Sequence, residues 1–194
     1  MATWAQVLKS FDKQLDHREI DEFLRHLNKS VNSHIRELEK EIKNQSPDKV
    51  EDPRDLNDYR DYLEERIMYL YATKVLGDEL SIIALYKKIE IHTNRIIKRK
   101  FPTRDAKKLS DIKYLKDKLQ LDIKTVEGYS SLNELRLINN SIKHEGKVSA
   151  ELAKQFPSWK EGAKLSDLDL SYKRLLPGVN QYVKDLVEKL YAIK

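Results

Sequence analysis

Residues 16–43 read DHREIDEFLRHLNKSVNSHIRELEKEIK, and apolar side chains recur through this stretch at steps of three or four residues. The apolar positions are Ile20, Leu24, Leu27, Val31, Ile35, Leu38 and Ile42. This spacing places them along one side of an α-helix, with Glu and Lys on the other side. The stripe covers only about three heptads, which favours a helix packed in a bundle over a free coiled coil. An extended interaction arm is the alternative.

The composition of the 194-residue chain favours the same structural class. Only five Gly and five Pro are spread over its length, which argues against a sandwich of many short strands. Hydrophobic residues make up 40% of the chain and are spaced periodically, so a packed core is expected rather than disorder. We therefore predict an all-α protein, built as a bundle of antiparallel helices.

The sequence lacks the residues and motifs on which several functional classes depend. The absence of Cys excludes disulfide frameworks, thiolate metal sites and cysteine nucleophiles. The sequence has no HExxH, no glycine-rich phosphate loop and no GxSxG, and we expect neither a metal nor a cofactor. No stretch approaches the roughly 20 apolar residues that span a bilayer, and the N-terminus lacks the apolar core of a signal peptide. We expect a cytoplasmic protein with no membrane partner.

Residues 44–57, NQSPDKVEDPRDLN, form the clearest loop in the sequence. We predict that this loop separates an N-terminal helical extension (1–44), packed on the core, from a helical bundle (58–194). Within the bundle, Gly77 is expected to end one helix and to make the next its antiparallel neighbour. The predicted helices are 58–76, 79–100, 105–119, one capped by Ser130 or Ser131 that ends before Gly146, 149–155, and one after Pro177. Residues 121–129, LDIKTVEGY, are predicted to form an ordered connection.

Residues 133–149, NELRLINNSIKHEGKVS, carry an unusual density of polar side chains on one predicted helix. Asn140 and His144 lie one turn apart, and Arg136 lies two turns before His144 and about 80° around the helix, so the three can line one groove. Imidazole suits proton transfer near neutral pH, and a guanidinium can stabilise charge on a phosphate. These residue types suit phosphodiester chemistry. The alternative is that Asn140 and His144 only bond to backbone at a helix end.

The segment ELRLINNSIKHEG resembles the terminal-helix motif of HEPN domains, which are helical bundles found in prokaryotic toxins, defence systems and RNA-processing enzymes. The resemblance is sharpest over residues 134–146. It extends back to about residue 58 and includes LYKKIEIHTNRIIKRKF (85–101), which is similar to the family's second bundle helix. The resemblance implies a HEPN-like core of about four to five helices. It also implies a homodimer in which two motifs meet across a groove.

The resemblance further implies metal-independent RNA cleavage in a defence or toxin-type system. His144 corresponds to the histidine that assists attack by the ribose 2′-hydroxyl, and Asn140 to its polar partner. The family's arginine position, with four intervening positions before the histidine, falls on Asn139 here, whereas Arg136 lies about 12 Å along the helix from His144. A two-fold axis could bring Arg136 of one protomer to His144 of the other. The alternatives are a degenerate domain without cleavage, and a non-catalytic helical dimerisation or protein-interaction module.

Charge is distributed unevenly along the chain. Residues 87–108 contain nine Lys or Arg and two acidic residues, while residues 37–61 contain nine acidic and five basic residues. We predict that nucleic acid contacts a basic set in residues 87–108 and beside the candidate site, with affinity that falls as salt rises. Its members are Arg95, Lys98, Arg99, Lys143 and Lys147. A solvated helix end is the alternative for this set. A further partner, an antitoxin or another protein that covers the site, is implied by the resemblance alone.

Overall fold

The structure is a computed structural model that describes residues 3–46, 53–102, 116 and 120–193. These residues form an all-α helical bundle, which confirms the predicted class. In chain order the helices are α1 (Trp4–Asp12), α2 (Arg18–Lys43), α3 (Pro53–Lys100), α4 (Tyr129–His144), α5 (Ala150–Gln155) and α6 (Leu168–Ala192). The helix predicted for residues 105–119 lies outside the described residues, apart from Lys116. None of the described helices is long and apolar enough to cross a membrane.

Contacts between residues divide the chain into two compact units, which we call the hairpin unit (18–80) and the motif unit (1–17 and 81–194). The hairpin unit contains α2 and the first part of α3. The motif unit contains α1, the second part of α3, and α4 to α6. The predicted separation of residues 1–44 as an extension from a HEPN-like core at 58–194 stays a prediction.

In the hairpin unit, α2 buries the stripe that its sequence predicts. Ile20, Val31, Ile35 and Leu38 are buried along one side of the helix. On α3, Leu63 is fully buried. The four-and-three spacing therefore identifies both the helix and its packed side.

The prediction of two helices that meet at Gly77 is wrong, because α3 is a single helix of 48 residues. Gly77 is helical and buried, and a Cβ atom at this position would collide with the Leu27 Cδ2 atom of α2. Glycine in a helix interior costs about 1 kcal/mol relative to alanine. Close packing of α2 on α3 offsets this cost, so Gly77 permits a helix contact rather than ending a helix.

Three further predicted boundaries are wrong. Helix α3 begins at Pro53, inside the stretch 44–57 that is predicted as a loop. The last helix begins at Leu168 and contains Pro177, although proline removes one backbone hydrogen bond. Leu175 and Val179 are buried on either side of Pro177, and this continuous apolar face keeps the helix intact. The N-cap of α4 is Gly128, with φ of 81° and no side-chain cap bond, rather than Ser130 or Ser131.

The end of α4 and the connections around it follow the prediction. His144 is the last residue of α4, and Gly146 follows with φ of 64°. The Ser149 hydroxyl caps α5 by accepting a hydrogen bond from the Leu152 amide at 3.3 Å. Of the predicted connection 121–129, residues 121–128 precede α4 and contain a 3-10 turn, Ile123–Thr125, and Tyr129 is the first residue of α4. The motif unit therefore presents the end of α4 on a fixed framework.

Candidate nucleic-acid interface

The end of α4 presents His144 to solvent between two exposed lysines, Lys143 and Lys147. The Glu145 and Gly146 amides both donate to the Ser141 carbonyl, at 3.2 and 2.9 Å, and close the last turn of the helix. Within the part of the chain that the structure describes, His144 has no hydrogen bond or ion pair. Among the described residues, therefore, His144 does not bond to backbone at the helix end, as the alternative interpretation expected.

Arg136 is half-buried and held by neighbours on its own side of α4. Its Nε and Nη2 atoms donate to Asn133 Oδ1 at 3.3 and 3.0 Å, and Nη2 lies 3.3 Å from Glu151 Oε1 on α5. Because it precedes His144 by more than two helical turns, the two positions differ by about 12 Å along the helix axis. Within one chain the structure therefore does not bring Arg136 and His144 together.

Asn139, at the position of the family's arginine, points into the packed interior. Its residue is only 1% exposed, and its Nδ2 donates to Asn140 Oδ1 at 3.3 Å. Its Oδ1 atom is buried and has no partner among the described residues. Asn140, by contrast, is only half-buried and lies one turn from His144. Position 139 cannot offer a side chain to a phosphate outside, whereas position 140 can.

The predicted basic residues on α3 are exposed, but two of them have fixed partners. Arg99 forms an ion pair with the buried Asp12 carboxylate and lies 3.5 Å from the Tyr191 hydroxyl. The bond to Asp12 raises the pKa of the Arg99 guanidinium, which stays charged. Arg95 Nη2 lies 3.3 Å from His92 Nδ1. Lys98 is the one member on α3 that has no ion pair or hydrogen bond within the described residues.

His92 is buried beneath this basic group. Its Nε2 lies 2.7 Å from the Asp12 carbonyl oxygen, so Nε2 donates and Nδ1 accepts from Arg95. Burial lowers the pKa of His92, and the nearby Arg95 and Arg99 charges act in the same direction. This neutral histidine ties α3 to the end of α1. Arg99 and His92 therefore hold α1 against α3, and Arg95 and Lys98 are the members of the group on α3 that have no bond to Asp12.

Glu134, the first residue of the motif segment, is a buried structural carboxylate. The Arg174 guanidinium binds it with two hydrogen bonds, at 3.0 and 2.7 Å, and the Trp159 indole N–H donates at 2.8 Å. Burial by itself would raise the pKa of the Glu134 carboxyl, but these bonds outweigh burial, and the pKa lies below its usual range. These hydrogen bonds connect α4 to α6 and to the loop between α5 and α6.

A cavity of about 200 Å³ lies between α3, α4 and α6. Its walls include apolar side chains such as Ile89, Leu132 and Leu186, and Arg136 and Asn133 contribute polar groups. His144 does not line this cavity. Arg136 lines this cavity and His144 does not, although the sequence analysis places both residues in one site.

Asn133 is the residue that sequence reasoning missed. It accepts from Arg136 and donates through Nδ2 to Gln155 at 2.6 Å, so it fixes the guanidinium against α5. Its place one helical turn before Arg136 is the signal that could have found it.

Among the described residues, no group of three or more His, Asp or Glu side chains lies close enough together to hold a metal ion.

Comparisons with protein-family models, with curated proteins and with solved structures found no match for this chain.

Proposed function

We propose that this chain is a cytoplasmic HEPN-like protein of a prokaryotic defence or toxin-type system that binds RNA at the end of α4. The observation that carries the proposal is the exposure of His144 between Lys143 and Lys147 on a closed helix end. Exposed cations on a fixed backbone suit contact with phosphates, and Arg95 and Lys98 extend the basic set on α3. The formal net charge of +5 favours the same class of partner.

The proposed chemistry is metal-independent cleavage in a homodimer. His144 would take the proton of the ribose 2′-hydroxyl, for which an accessible imidazole is required. The 2′-oxygen would bond to the adjacent phosphorus as the bond to the 5′-oxygen breaks, which leaves a 2′,3′-cyclic phosphate and a 5′-hydroxyl that takes its proton from solvent. A guanidinium must also reach the phosphate, and within one chain Arg136 is bound to Asn133 about 12 Å along α4. The proposal therefore draws Arg136 from the partner copy across a two-fold axis. A chain that binds RNA without cleaving it is the degenerate form of the same proposal.

Cleavage is tested by incubating labelled single-stranded RNA with the full chain in the presence of a chelator. We expect cleavage by the wild type and by His26→Ala, a control with an exposed histidine in the hairpin unit, and none by His144→Ala. RNA binding without cleavage by all three proteins would support the degenerate form. Absence of RNA binding by the wild type would overturn the proposal.

Binding is tested separately from cleavage by its dependence on salt. The double variant Lys143→Gln/Lys147→Gln should reduce the slope of log affinity against log salt by about two, since each phosphate contact contributes nearly one. Lys29→Gln/Lys40→Gln removes the same charge from exposed positions on α2 and serves as the matched control. Equal slopes for the two double variants would contradict the proposed contact surface.

A second candidate function, the non-catalytic interaction module, is favoured by a different observation. In the hairpin unit α3 exposes several large apolar side chains, namely Tyr62, Met68, Tyr69 and Leu76. Exposed apolar side chains that are concentrated on a surface helix are typical of protein–protein contacts. A partner such as an antitoxin would be a second proposed ligand of this module. Failure of the wild type to bind RNA, together with capture of a protein partner by this surface, would support the module.

A further inference from the structure

A short antiparallel bridge joins the loop after α4 to the loop between α5 and α6. The Val148 amide donates to the Ala163 carbonyl at 2.9 Å, and the Gly162 amide donates to the Val148 carbonyl at 2.9 Å. This pairing sets Lys147 directly opposite Lys164. Residues that face each other in an antiparallel pair carry their side chains on the same face, with Cβ atoms about 5 Å apart. The bridge therefore brings two lysines of different loops side by side.

The charges of these two lysines are not matched by acidic side chains. Both lysines are exposed, and neither has an ion pair or hydrogen bond within the part of the chain that the structure describes. The segments that meet at the bridge, 143–147 and 160–164, carry four lysines and two glutamates, Glu145 and Glu161. Like charges directly opposite each other destabilise a strand pair. An anion between the two ammonium groups would remove this repulsion, so the bridge favours an anionic ligand.

A groove of about 520 Å³ lies beside the bridge, between the loop that precedes α6 and the first turns of α6. Its walls include Lys160, Lys164 and Arg174. The charge of Arg174 is matched by its two bonds to Glu134, whereas Lys160 and Lys164 have no partner among the described residues. Asp167 is the acidic residue among the described residues that line the groove. The groove therefore offers two unmatched cations and one carboxylate.

Trp159 contributes an aromatic wall to the same groove. The residue is half-buried, and its indole N–H donates to Glu134 Oε1 at 2.8 Å, which fixes the orientation of the ring. An aromatic ring beside unmatched lysines suits a single-stranded nucleic acid, because a base stacks on the ring while the phosphates contact the cations. The bases of a duplex are stacked on one another, so a duplex does not offer them to such a ring.

We propose that a single strand of RNA runs from the end of α4 across the bridge between Lys147 and Lys164 and into this groove. There Lys160 and Lys164 contact phosphates, and Trp159 stacks on a base. The inference rests on the proposed function, because it continues the contact that begins at Lys143 and Lys147. It does not depend on the two-fold axis of the proposed dimer, since all of these residues belong to the motif unit of one chain.

The phosphate contacts are tested by the salt dependence of binding to a short single-stranded RNA whose 2′-hydroxyls are methylated, so that cleavage does not interfere. Lys160→Gln/Lys164→Gln should lower the slope of log affinity against log salt by between about one and two. Lys29→Gln/Lys40→Gln removes the same charge from exposed positions on α2 and should keep the wild-type slope.

The outcomes separate this inference from the proposed function. If the wild type binds RNA and the two double variants have equal slopes, the groove is not a contact surface, although RNA binding at the end of α4 stands. A wild type that binds no RNA overturns both.

A change of the opposite sign is available at Asp167. Asp167→Asn removes the one negative charge among the described lining residues and suits the left-handed backbone at this position, where φ is 53°. We expect it to raise the affinity for the same RNA severalfold at low salt. Glu39→Gln removes the same charge from an exposed position on α2 and should leave the affinity unchanged. Equal affinities of these two variants would contradict a phosphate path beside Asp167.

Base stacking is tested by fluorescence in the Trp4→Phe variant, in which Trp159 is the one remaining tryptophan. Saturating single-stranded RNA should quench its emission. Tripolyphosphate, which carries negative charge but no base, should leave the emission unchanged. RNA binding without a change in emission, or equal quenching by tripolyphosphate, would overturn the stacking of a base on Trp159.

Discussion

At the level of single residues, Asn139 shows how packing decides what a motif position can do. Its amide oxygen is buried and has no partner among the described residues. The next residue, Asn140, lies half in solvent. A one-residue step along α4 therefore separates a position inside the bundle from one that can meet a ligand.

Introducing the family's arginine at this position should damage the fold. Asn139→Arg places a guanidinium where only 1% of the residue is exposed, and we expect a loss of more than about 3 kcal/mol in the free energy of unfolding. Urea denaturation followed by circular dichroism measures this loss. Asn140→Arg, half-exposed, should unfold within about 1 kcal/mol of the wild type. A stable Asn139→Arg protein with increased RNA cleavage would contradict the placement of this side chain.

The buried His92 predicts a dependence of stability on pH. Burial holds its pKa below the usual value of 6.5, so the unfolded chain takes up a proton at a higher pH than the folded chain. Stability should therefore fall as the pH decreases from 7.5 to 5.5, since the unfolded state binds more protons in this range. The carboxyls with lowered pKa values, such as Glu134, act only at lower pH.

Urea denaturation at the two pH values measures the effect. His92→Gln, which keeps a side-chain N–H donor, should lose less stability between them than the wild type does. The exposed His26→Gln should behave as the wild type. Equal pH dependence in all three proteins would contradict a neutral, buried His92.

At the level of helices, sequence patterns predict those features that depend on one helix alone. The stripe of α2, the end of α4 before Gly146 and the Ser149 cap are local, and each is found as predicted. The close contact at Gly77 is with Leu27, which belongs to a different helix and lies far from Gly77 in the sequence. The local sequence around a glycine does not show whether it ends a helix or admits a neighbouring one.

The contact at Gly77 can be measured by a double-mutant cycle. Gly77→Ala gains about 1 kcal/mol of helix propensity but forces Leu27 to move, which typically costs about 1–3 kcal/mol. We expect a net loss of stability in the wild-type background. In the Leu27→Ala background the clash is removed, so Gly77→Ala should become stabilising. The same sign in both backgrounds would contradict close packing at this position.

At the level of the whole molecule, the features of the candidate interface that depend on local sequence could be predicted, and those that depend on tertiary contacts could not. The residue types near the end of α4, and the exposure that a helix end provides, could be predicted from the sequence. The partners of Arg99 and Arg136 could not, because they are chosen by tertiary packing. Asp12 lies 87 residues from Arg99, and Glu151 approaches Arg136 only through the turn between α4 and α5.

The two units should be distinguishable in unfolding experiments. Both tryptophans, Trp4 and Trp159, belong to the motif unit, so their fluorescence reports on that unit, whereas circular dichroism reports on all helices. Leu63→Ala removes a fully buried side chain of the hairpin unit, at a typical cost of about 2–5 kcal/mol. We expect helical signal to be lost at lower urea than the fluorescence changes.

Leu135→Ala provides the comparison for the motif unit, where Leu135 is equally buried. This change should shift the fluorescence transition to lower urea. If both probes shifted together in both variants, the chain would unfold as one cooperative body and the expectation would be wrong.

Where α4 crosses α6, glycine is required twice. A Cβ atom on Gly128 would collide with the Gly178 carbonyl, and a Cβ atom on Gly178 would collide with the Ser131 hydroxyl. Lineages that inherit this crossing should therefore keep both glycines at a fixed spacing, with a small side chain at 131, even after their surfaces have diverged. Such a spaced pair would mark common ancestry more durably than the exposed letters of ELRLINNSIKHEG.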